Sequence, residues 1–277
     1  MSASTRPVFV IGSGRCGTRA IYKMLLGTPG VEVFHEYLYT HTQQAAVLRS
    51  MGWLTWPEIE DEIRRLYGAA VALSDAGVWI DANQKLSWII NDLRAVFPTA
   101  KFVALYRDGR KVVGSFFHKL ADEMYDDRST AALMTWLDGN SPVMPPPEKK
   151  YWPRIPQDGE PFAEEFRSWC QFQRICYHWQ ACNAEIKARL AALPSDAYLE
   201  LKLEELVSDS AQVARLCEFV GVAPSSDYFE ALQTPQHVLF PADFRLNPEQ
   251  LGQFWEICGP MMEELGYAGR EAYAVRY

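Results

Sequence analysis

Three glycines follow an apolar run in the stretch RPVFVIGSGRCGTRAIYKML near the start of the chain. Gly12, Gly14 and Gly17 allow the backbone to curl, so that successive N–H groups and the start of a following helix point at one anion. This pattern predicts a phosphate-binding loop. Thr18 and Arg19 stand where a nucleotide triphosphatase would carry a lysine and a magnesium-binding hydroxyl. A magnesium-dependent kinase is therefore the less favoured interpretation.

The same glycines also fit GxGxxG, the fingerprint of dinucleotide-binding folds, in which an acidic residue ends the second strand about twenty residues further on. Glu32 or Glu36 would take that role. Arg15 lies inside the turn, however, and its cationic side chain suits a transferring anionic group better than a dinucleotide pyrophosphate. The loop alone leaves both alternatives open.

A second group of candidate residues lies in the stretch YRDGRKVVGSFFHK. Arg107 falls at a strand end and Ser115 on the next helix, so their side chains converge at the carboxyl edge of the sheet, where such sheets bind ligands. The planar guanidinium of an arginine suits a second phosphate. The alternative is an ordinary surface ion pair between Arg107 and Asp108, which the neighbouring glycine loop makes less favoured.

The elements that must position these residues alternate along the chain. The predicted strands cover residues 8–12, 31–37, 100–108 and 197–207. The predicted helices cover the stretch after the glycine loop, most of 43–76, a segment closed by Pro98, about 110–122, 164–193 and most of the chain after 207. Continuous apolar strands alternating with helices are typical of a parallel sheet that is buried on both faces. The sequence therefore predicts an α/β fold of three layers, similar to P-loop proteins, with a central parallel sheet flanked by helices.

The length of 277 residues, without an evident linker or repeat, predicts a single domain over residues 1–277. Residues 124–162 are rich in proline, tryptophan and charge and show no period, which predicts a long irregular insertion. Such a segment either covers a site or is a surface excursion.

Composition excludes several classes of function. The net charge of −8 argues against a nucleic-acid binder and requires any basic site to be concentrated. The chain lacks an apolar run of the roughly 20 residues that a membrane helix needs, and its first residues are too polar for a secretory signal. We therefore expect a cytoplasmic protein without stable membrane insertion. Six cysteines without a CxxC pair favour reduced thiols over disulfides or zinc.

These motifs resemble those of a known family. IGSGRCGT is similar to the 5′-phosphosulfate loop of sulfotransferases that use 3′-phosphoadenosine 5′-phosphosulfate (PAPS), and RDGRKVVGS to their 3′-phosphate motif, usually RDPRxxxxS. YLELKLEELVSD resembles the family's YxxVxYEDLVxDP segment, and EQLGQFWEICGPMMEELGY its C-terminal helix. The resemblance covers most of residues 7–267. It is nearest to the branch with arginine in the loop, which includes tyrosylprotein and many bacterial carbohydrate sulfotransferases.

The resemblance implies transfer of a sulfuryl group from PAPS to a hydroxyl of a small molecule, sugar or lipid headgroup. The product would be 3′-phosphoadenosine 5′-phosphate, and no metal is implied. The implied donor-binding residues are Gly14, Arg15, Cys16, Gly17, Thr18 and Arg19 at the 5′ side, with Arg107 and Ser115 at the 3′-phosphate. Arg15 would also stabilise the leaving phosphate. A catalytically silent relative that only binds the product is a further alternative.

The resemblance implies a carboxylate base after the second strand. Glu36 matches that place in VFHEYLY, with His35 as the alternative. Adjacent strand residues point to opposite faces, so we expect only one of the two to enter the site. Lys85 in DANQKLSW would add positive charge near the transferred group; alternatively it caps the turn before a helix.

The chain departs from the family pattern at several places. Arg19 replaces a frequent second threonine, and Gly109 replaces the proline of the 3′-phosphate motif. We find no clear RKGxxGxW element before the last helix, and Arg245 is a candidate substitute for it. No feature of the sequence predicts an oligomeric state.

Overall fold

A single parallel sheet carries the glycine loop. The computed structural model describes residues 5–233 and 245–269. The strands are β1 (Arg6–Gly12), β2 (Val31–His35), β3 (Val78–Ala82), β4 (Lys101–Tyr106) and β5 (Tyr198–Lys202). Their order across the sheet is β2-β3-β1-β4-β5, and every neighbouring pair is parallel. All carboxyl ends therefore meet at one edge of the sheet.

Alternate residues of the strands enter two apolar cores. Phe9 and Ile11 of β1 belong to a large core on one face of the sheet, together with Trp79. Val8 and Val10 belong to a smaller core on the other face. This alternation explains why β1 is apolar from Val8 to Ile11, because both of its faces are covered. The three-layer α/β fold with a central parallel sheet is confirmed.

Helices cover both faces of the sheet. Their bounds are α1 (Thr18–Leu25), α2 (Tyr39–Ser50), α3 (Trp56–Ile63), α4 (Ala69–Ala72), α5 (Ile90–Val96), α6 (Gly109–Lys119), α7 (Asp127–Leu137), α8 (Ala163–Phe166), α9 (Gln171–Leu190), α10 (Leu203–Leu206), α11 (Ser210–Val220), α12 (Ser226–Gln233) and α13 (Pro248–Glu264). A π-helical segment, Arg64–Gly68, joins α3 to α4, and 3₁₀ turns cover Gln84–Trp88 and Lys149–Tyr151. No helix in the described ranges combines the length and apolar character that crossing a bilayer requires.

Several predicted elements have different bounds in the structure. The helix expected over 164–193 is two helices, α8 and α9, and α9 begins with a capping box in which Gln173 binds back to Cys170. The strand expected over 197–207 ends at Lys202, and α10 follows it directly. The helix expected to reach about residue 122 ends at Lys119.

The segment 124–162 is not irregular throughout, because it contains α7 and a 3₁₀ turn. It also packs into the molecule. Trp152 is fully buried and its Nε1 donates to Pro146 O at 2.8 Å. Tyr125 Oη donates to Arg154 O at 2.8 Å, and Gln43 of α2 donates to a carbonyl of the same segment. We call residues 146–152 the lysine turn, since it carries Lys149.

Candidate functional site

A cavity of about 650 Å³ opens at the carboxyl edge of the sheet. The residues that follow each of the five strands contribute to its wall: Arg15 after β1, Glu36 after β2, Gln84 after β3, Arg107 after β4 and Leu203 after β5. Ligands of open α/β sheets bind at this edge. The fold therefore brings residues from distant parts of the chain to one site.

Positive charge predominates in the wall of the cavity. The cationic lining side chains are Arg15, Arg19, Arg107, Lys111 and Lys149, and the anionic ones are Glu36, Glu123 and Glu204. The whole chain, in contrast, carries a net charge of −8. Concentrated positive charge in a cleft attracts anionic ligands. The basic site that the composition required to be concentrated lies here.

The glycine loop gives this cavity a helix N-terminus. Gly14 and Gly17 have φ angles of 80° and 107°, in the left-handed region that glycine adopts freely. A Cβ at Gly17 would lie 2.6 Å from Leu203 Cδ1. Gly17 precedes α1 without a side-chain cap, and Thr18 and Arg19 of the first turn line the cavity. The positive end of α1 therefore faces the cavity, where it favours an anionic ligand.

Hydrogen bonds link Arg15 to both Ser115 and Arg107. Arg15 Nε donates to Ser115 Oγ at 2.9 Å, and Arg107 Nη1 donates to Arg15 O at 2.7 Å. Ser115 is buried and does not line the cavity, so its hydroxyl orients Arg15. Asp108 pairs with Arg110 at 2.7 Å in a buried position. The alternative, an ion pair between Arg107 and Asp108 at the surface, is therefore wrong.

His35 and Glu36 both line the cavity, so the expectation that only one would enter is wrong. Strand alternation ends at His35, because Glu36 has a φ of 56° and leaves the extended conformation. Two hydrogen bonds fix this turn: Glu36 N donates to Ala82 O at 3.1 Å, and Tyr37 N donates to Asp81 Oδ1 at 3.0 Å. The turn places both candidate bases on the same side.

Asp81 supports this turn from below and does not line the cavity. Tyr67 Oη and Asn83 Nδ2 both donate to its Oδ2, at 3.1 and 3.2 Å. Burial raises the pKa of Asp81 to about 7, against the effect of the donor from Tyr37. A kinase would need a carboxylate at such a strand end to hold magnesium, but these oxygens already accept three internal hydrogen bonds.

Lys149 is a cavity residue that the sequence analysis missed. Its Nζ lies 3.1 Å from Glu36 Oε1 and 3.4 Å from Oε2. The Gln84 amide, oriented to satisfy both neighbours, donates to Ser13 O at 3.2 Å and accepts from Lys149 Nζ at 3.3 Å. Burial disfavours the charged form of Glu36, but Lys149 and His35 outweigh it and hold the pKa of Glu36 below its usual value. The lysine doublet after a run of prolines was the available sequence signal.

Lys85 is buried beside the site and does not line the cavity. Its Nζ donates to Trp152 O at 3.0 Å, which ties the lysine turn to the sheet edge. Burial and the neighbouring charge of Lys149 lower the pKa of Lys85 to about 8. In the structure Lys85 anchors the lysine turn. Its predicted contact with the transferred group stays a prediction.

Two buried side chains support the loop from beneath. Cys16 is fully buried, and burial raises the pKa of its thiol to about 11, so the thiol is neutral. His178 Nε2 lies 2.9 Å from Ser13 O and packs against the rings of Trp88 and Phe116. Burial and the charge of Lys85 lower the pKa of His178 to about 3. His178 is therefore a neutral residue that supports the loop. Nothing in its sequence context indicated this role.

The structure explains one departure from the family motifs, the glycine at position 109 in place of proline. A Cβ at Gly109 would lie 2.9 Å from both Trp179 Cε2 and Phe254 Cζ, so these rings occupy the space of the usual proline. Arg245 is exposed and does not line the cavity. Residues 234–244, where an RKGxxGxW element would begin, lie outside the described residues.

The geometry defines the class of protein: a parallel α/β fold with a cavity at its carboxyl edge whose charged side chains are mostly cationic. The sequence comparison then gives the family. Residues 7–144 match the model described as the sulfotransferase family. The chain belongs to the sulfotransferase family, and it is a transferase by this assignment. A search of curated protein sequences finds no significant match.

Solved structures of sulfotransferases are similar to this chain over most of its length. The sulfotransferase domain from the curacin biosynthetic pathway is 14% identical, with a TM-score of 0.51 over 95% of this chain and 98% of that chain. A sulfotransferase of Mycobacterium tuberculosis is 16% identical over 97% of this chain and 78% of that one, with a TM-score of 0.49. A sulfotransferase of Alicyclobacillus acidocaldarius is 16% identical over 93% of each chain, with a TM-score of 0.46. The curacin domain supports the overall fold along nearly the whole chain.

Proposed function

We propose that the protein transfers a sulfuryl group from PAPS to a hydroxyl of a small molecule, sugar or lipid headgroup. One observation carries the proposal: Arg15 and Arg107, linked to each other, face the same cavity as the carboxylate of Glu36. Such a site has cations where an anion leaves and a base where a proton must be removed. Family membership supports the reaction type, and the lining of the cavity supports the roles proposed for individual residues.

The cavity fits a nucleotide with phosphates at both ends of its ribose. The start of α1, with Thr18 and Arg19, would hold the 5′-phosphate, and Arg107 with Lys111 would hold the 3′-phosphate. Apolar side chains form another part of the wall and suit a flat purine ring; they are Phe116, Leu120, Leu203, Val207 and Leu232. Cys16 and Ser115 act from behind this surface, as supports.

PAPS supplies an activated sulfuryl group whose bond to the 5′-phosphate oxygen breaks. In the proposed reaction, Glu36 accepts the acceptor's hydroxyl proton as the hydroxyl oxygen bonds to sulfur. The electron pair of the broken bond stays on the phosphate oxygen, and Arg15 stabilises the charge that develops there. His35 lies beside Glu36 and is the second candidate for the proton.

We further propose that residues 1–277 form one domain, that segment 124–162 is a feature of this protein within that domain, and that the protein works in the cytoplasm. Contacts between the lysine turn and α2 support the single domain, since Gln43 Nε2 donates to Pro147 O at 2.8 Å.

The excess of negative charge outside the cavity disfavours nucleic acid and acidic polymers as acceptors.

A transfer assay tests the proposed reaction. A mixture of hydroxylated compounds is incubated with the protein and either PAPS or ATP with magnesium, and the products are identified by mass spectrometry. We expect sulfated products from PAPS alone. Arg15→Ala should lower the rate by about a hundredfold, because one stabilising donor is lost from the leaving phosphate. Phosphorylated products, or an Arg15→Ala rate within about twofold of wild type, would contradict the proposal.

A further inference from the structure

The ion pair between Lys149 and Glu36 joins the proposed base to a segment far away in the sequence. Nζ lies 3.1 Å from Oε1, and the two side chains are 27% and 22% exposed. Pairs that are fully exposed are worth little, because water screens them. This pair is mostly shielded and forms part of a cavity wall that also holds Arg15. Its position calls for a function beyond stability.

The lysine turn holds the backbone of Lys149, and its side chain ends in a flexible stem next to several acceptors. Trp152 is fully buried, and its Nε1 donates to Pro146 O at 2.8 Å, which closes the lysine turn. Lys85 Nζ donates to Trp152 O at 3.0 Å and holds the turn at the sheet edge. A lysine ammonium has three donors on a flexible four-carbon stem and can move between neighbouring acceptors.

Charged groups face Glu36 from each neighbouring element. They are His35 on β2, Asp81 on β3, Lys85 after β3 and Lys149 on the lysine turn. Burial opposes ionisation of Glu36, but the cations, led by Lys149, keep its pKa low. A carboxylate with a low pKa is a weak base. As long as Lys149 holds it, Glu36 is charged but poorly suited to accept a hydroxyl proton.

We propose that Lys149 is a catalytic residue, whose ammonium moves from Glu36 to the sulfuryl oxygens when the donor binds. The movement places a positive charge on the group to be transferred and releases the base in the same event. This inference rests on the proposed function, since it takes PAPS as the donor. It also gives segment 124–162 a role: the segment delivers a cation that the glycine loop and strands do not supply.

Calorimetry with two nucleotides that differ only by the sulfuryl group tests this role. PAPS and 3′-phosphoadenosine 5′-phosphate are titrated into wild type, Lys149→Met and Lys150→Met. Lys150 is the matched control, because its Nζ lies over the Tyr151 ring at 5.1 Å and does not line the cavity. We expect Lys149→Met to weaken PAPS binding by roughly tenfold or more, the size of a charged hydrogen bond, with binding of the product unchanged.

The outcomes separate the two proposals. Equal effects of Lys149→Met on both nucleotides, or an equal effect of Lys150→Met on PAPS, would overturn the role of Lys149 and leave the donor site intact. Wild type that binds neither nucleotide would overturn the proposed function and this inference with it. Lys149→Arg should recover most of the PAPS affinity, because it restores the charge.

Proton uptake supplies a second readout, which a merely structural lysine would not move. Release of Glu36 raises its pKa, so PAPS binding should take up protons at pH values just above the usual pKa of a glutamate. Titrations in buffers of different ionisation enthalpy measure this uptake. We expect it to shrink in Lys149→Met and to vanish in Glu36→Gln. Uptake that persists in Glu36→Gln would show that another group takes the proton and would overturn the release of the base.

Discussion

At the scale of single residues, two cavity side chains stand on backbones in the left-handed region: Arg15 with a φ of 53° and Glu36 with a φ of 56°. Such conformations cost about 1–3 kcal/mol for residues other than glycine, and they persist when the surroundings fix them. Arg107 and Ser115 fix Arg15 through hydrogen bonds, and Asp81 fixes the turn after Glu36. The strain lies in the proposed base and in the arginine that we propose stabilises the leaving phosphate.

Glu36→Gln tests the proposed base. An amide accepts no proton, so we expect the rate of sulfuryl transfer to fall by about a hundredfold or more. The glutamine keeps the shape of the side chain, and the melting temperature should change little. Transfer rates with saturating PAPS measure the effect. Wild-type turnover in this variant would move the role of base to His35 or to another group.

At the scale of elements, four of the five strands were predicted, whereas β3 (Val78–Ala82) and the turns that follow the strands were not. Val8 to Ile11 are continuously apolar because both faces of β1 are buried, and this pattern is visible in the sequence. The left-handed turn at Glu36 leaves no such pattern, so strand alternation wrongly separated it from His35. The break between α8 and α9 was missed because the apolar residues continue through it.

Lys149 could not be predicted as a cavity residue, since 113 positions separate it from Glu36. The packing of Trp152, the contact between Lys85 and the Trp152 carbonyl, and the hydrogen bond from Gln43 to Pro147 O bring it there. The sequence analysis offered segment 124–162 as a loop that covers a site. It did not indicate that Lys149 enters the cavity. Arg15 and Arg107, in contrast, were predictable because each directly follows a recognisable strand.

Trp152→Ala tests how firmly the lysine turn is held. Removal of this fully buried ring should lower the free energy of unfolding by about 3–5 kcal/mol. Trp53→Ala is the matched control, because Trp53 is 44% exposed and should cost about 1 kcal/mol. Chemical denaturation measures both variants. Equal losses would mean that the turn is not anchored by Trp152.

Asp81→Asn tests the support below the Glu36 turn through pH. The pKa of Asp81 is raised by burial to about 7, above its value in the unfolded chain, so the folded protein binds the extra proton. This contribution to stability is present in acid and is lost as pH rises from about 4 to 7. Wild type should therefore lose stability over that range relative to Asp81→Asn. Parallel stability curves from denaturant titrations at several pH values would contradict a buried, titrating Asp81.

At the scale of the whole molecule, charge is unevenly distributed. The cavity carries five cationic and three anionic side chains, whereas the chain as a whole carries a net charge of −8. Composition alone correctly required a concentrated basic site, but it could not locate one. The fold locates it, because parallel strands bring all five carboxyl ends to one edge. A small anionic nucleotide fits this arrangement better than an extended polyanion.

The most direct test of the donor site compares the thermal stabilisation of the protein by 3′-phosphoadenosine 5′-phosphate, by ADP and by ATP with magnesium. A ligand that binds only the folded form must raise the apparent stability. We expect the 3′-phosphorylated nucleotide to raise the melting temperature most, and Arg107→Ala to remove its advantage over ADP. Stabilisation by ATP with magnesium alone would contradict a PAPS site and indicate a kinase with an unusual loop.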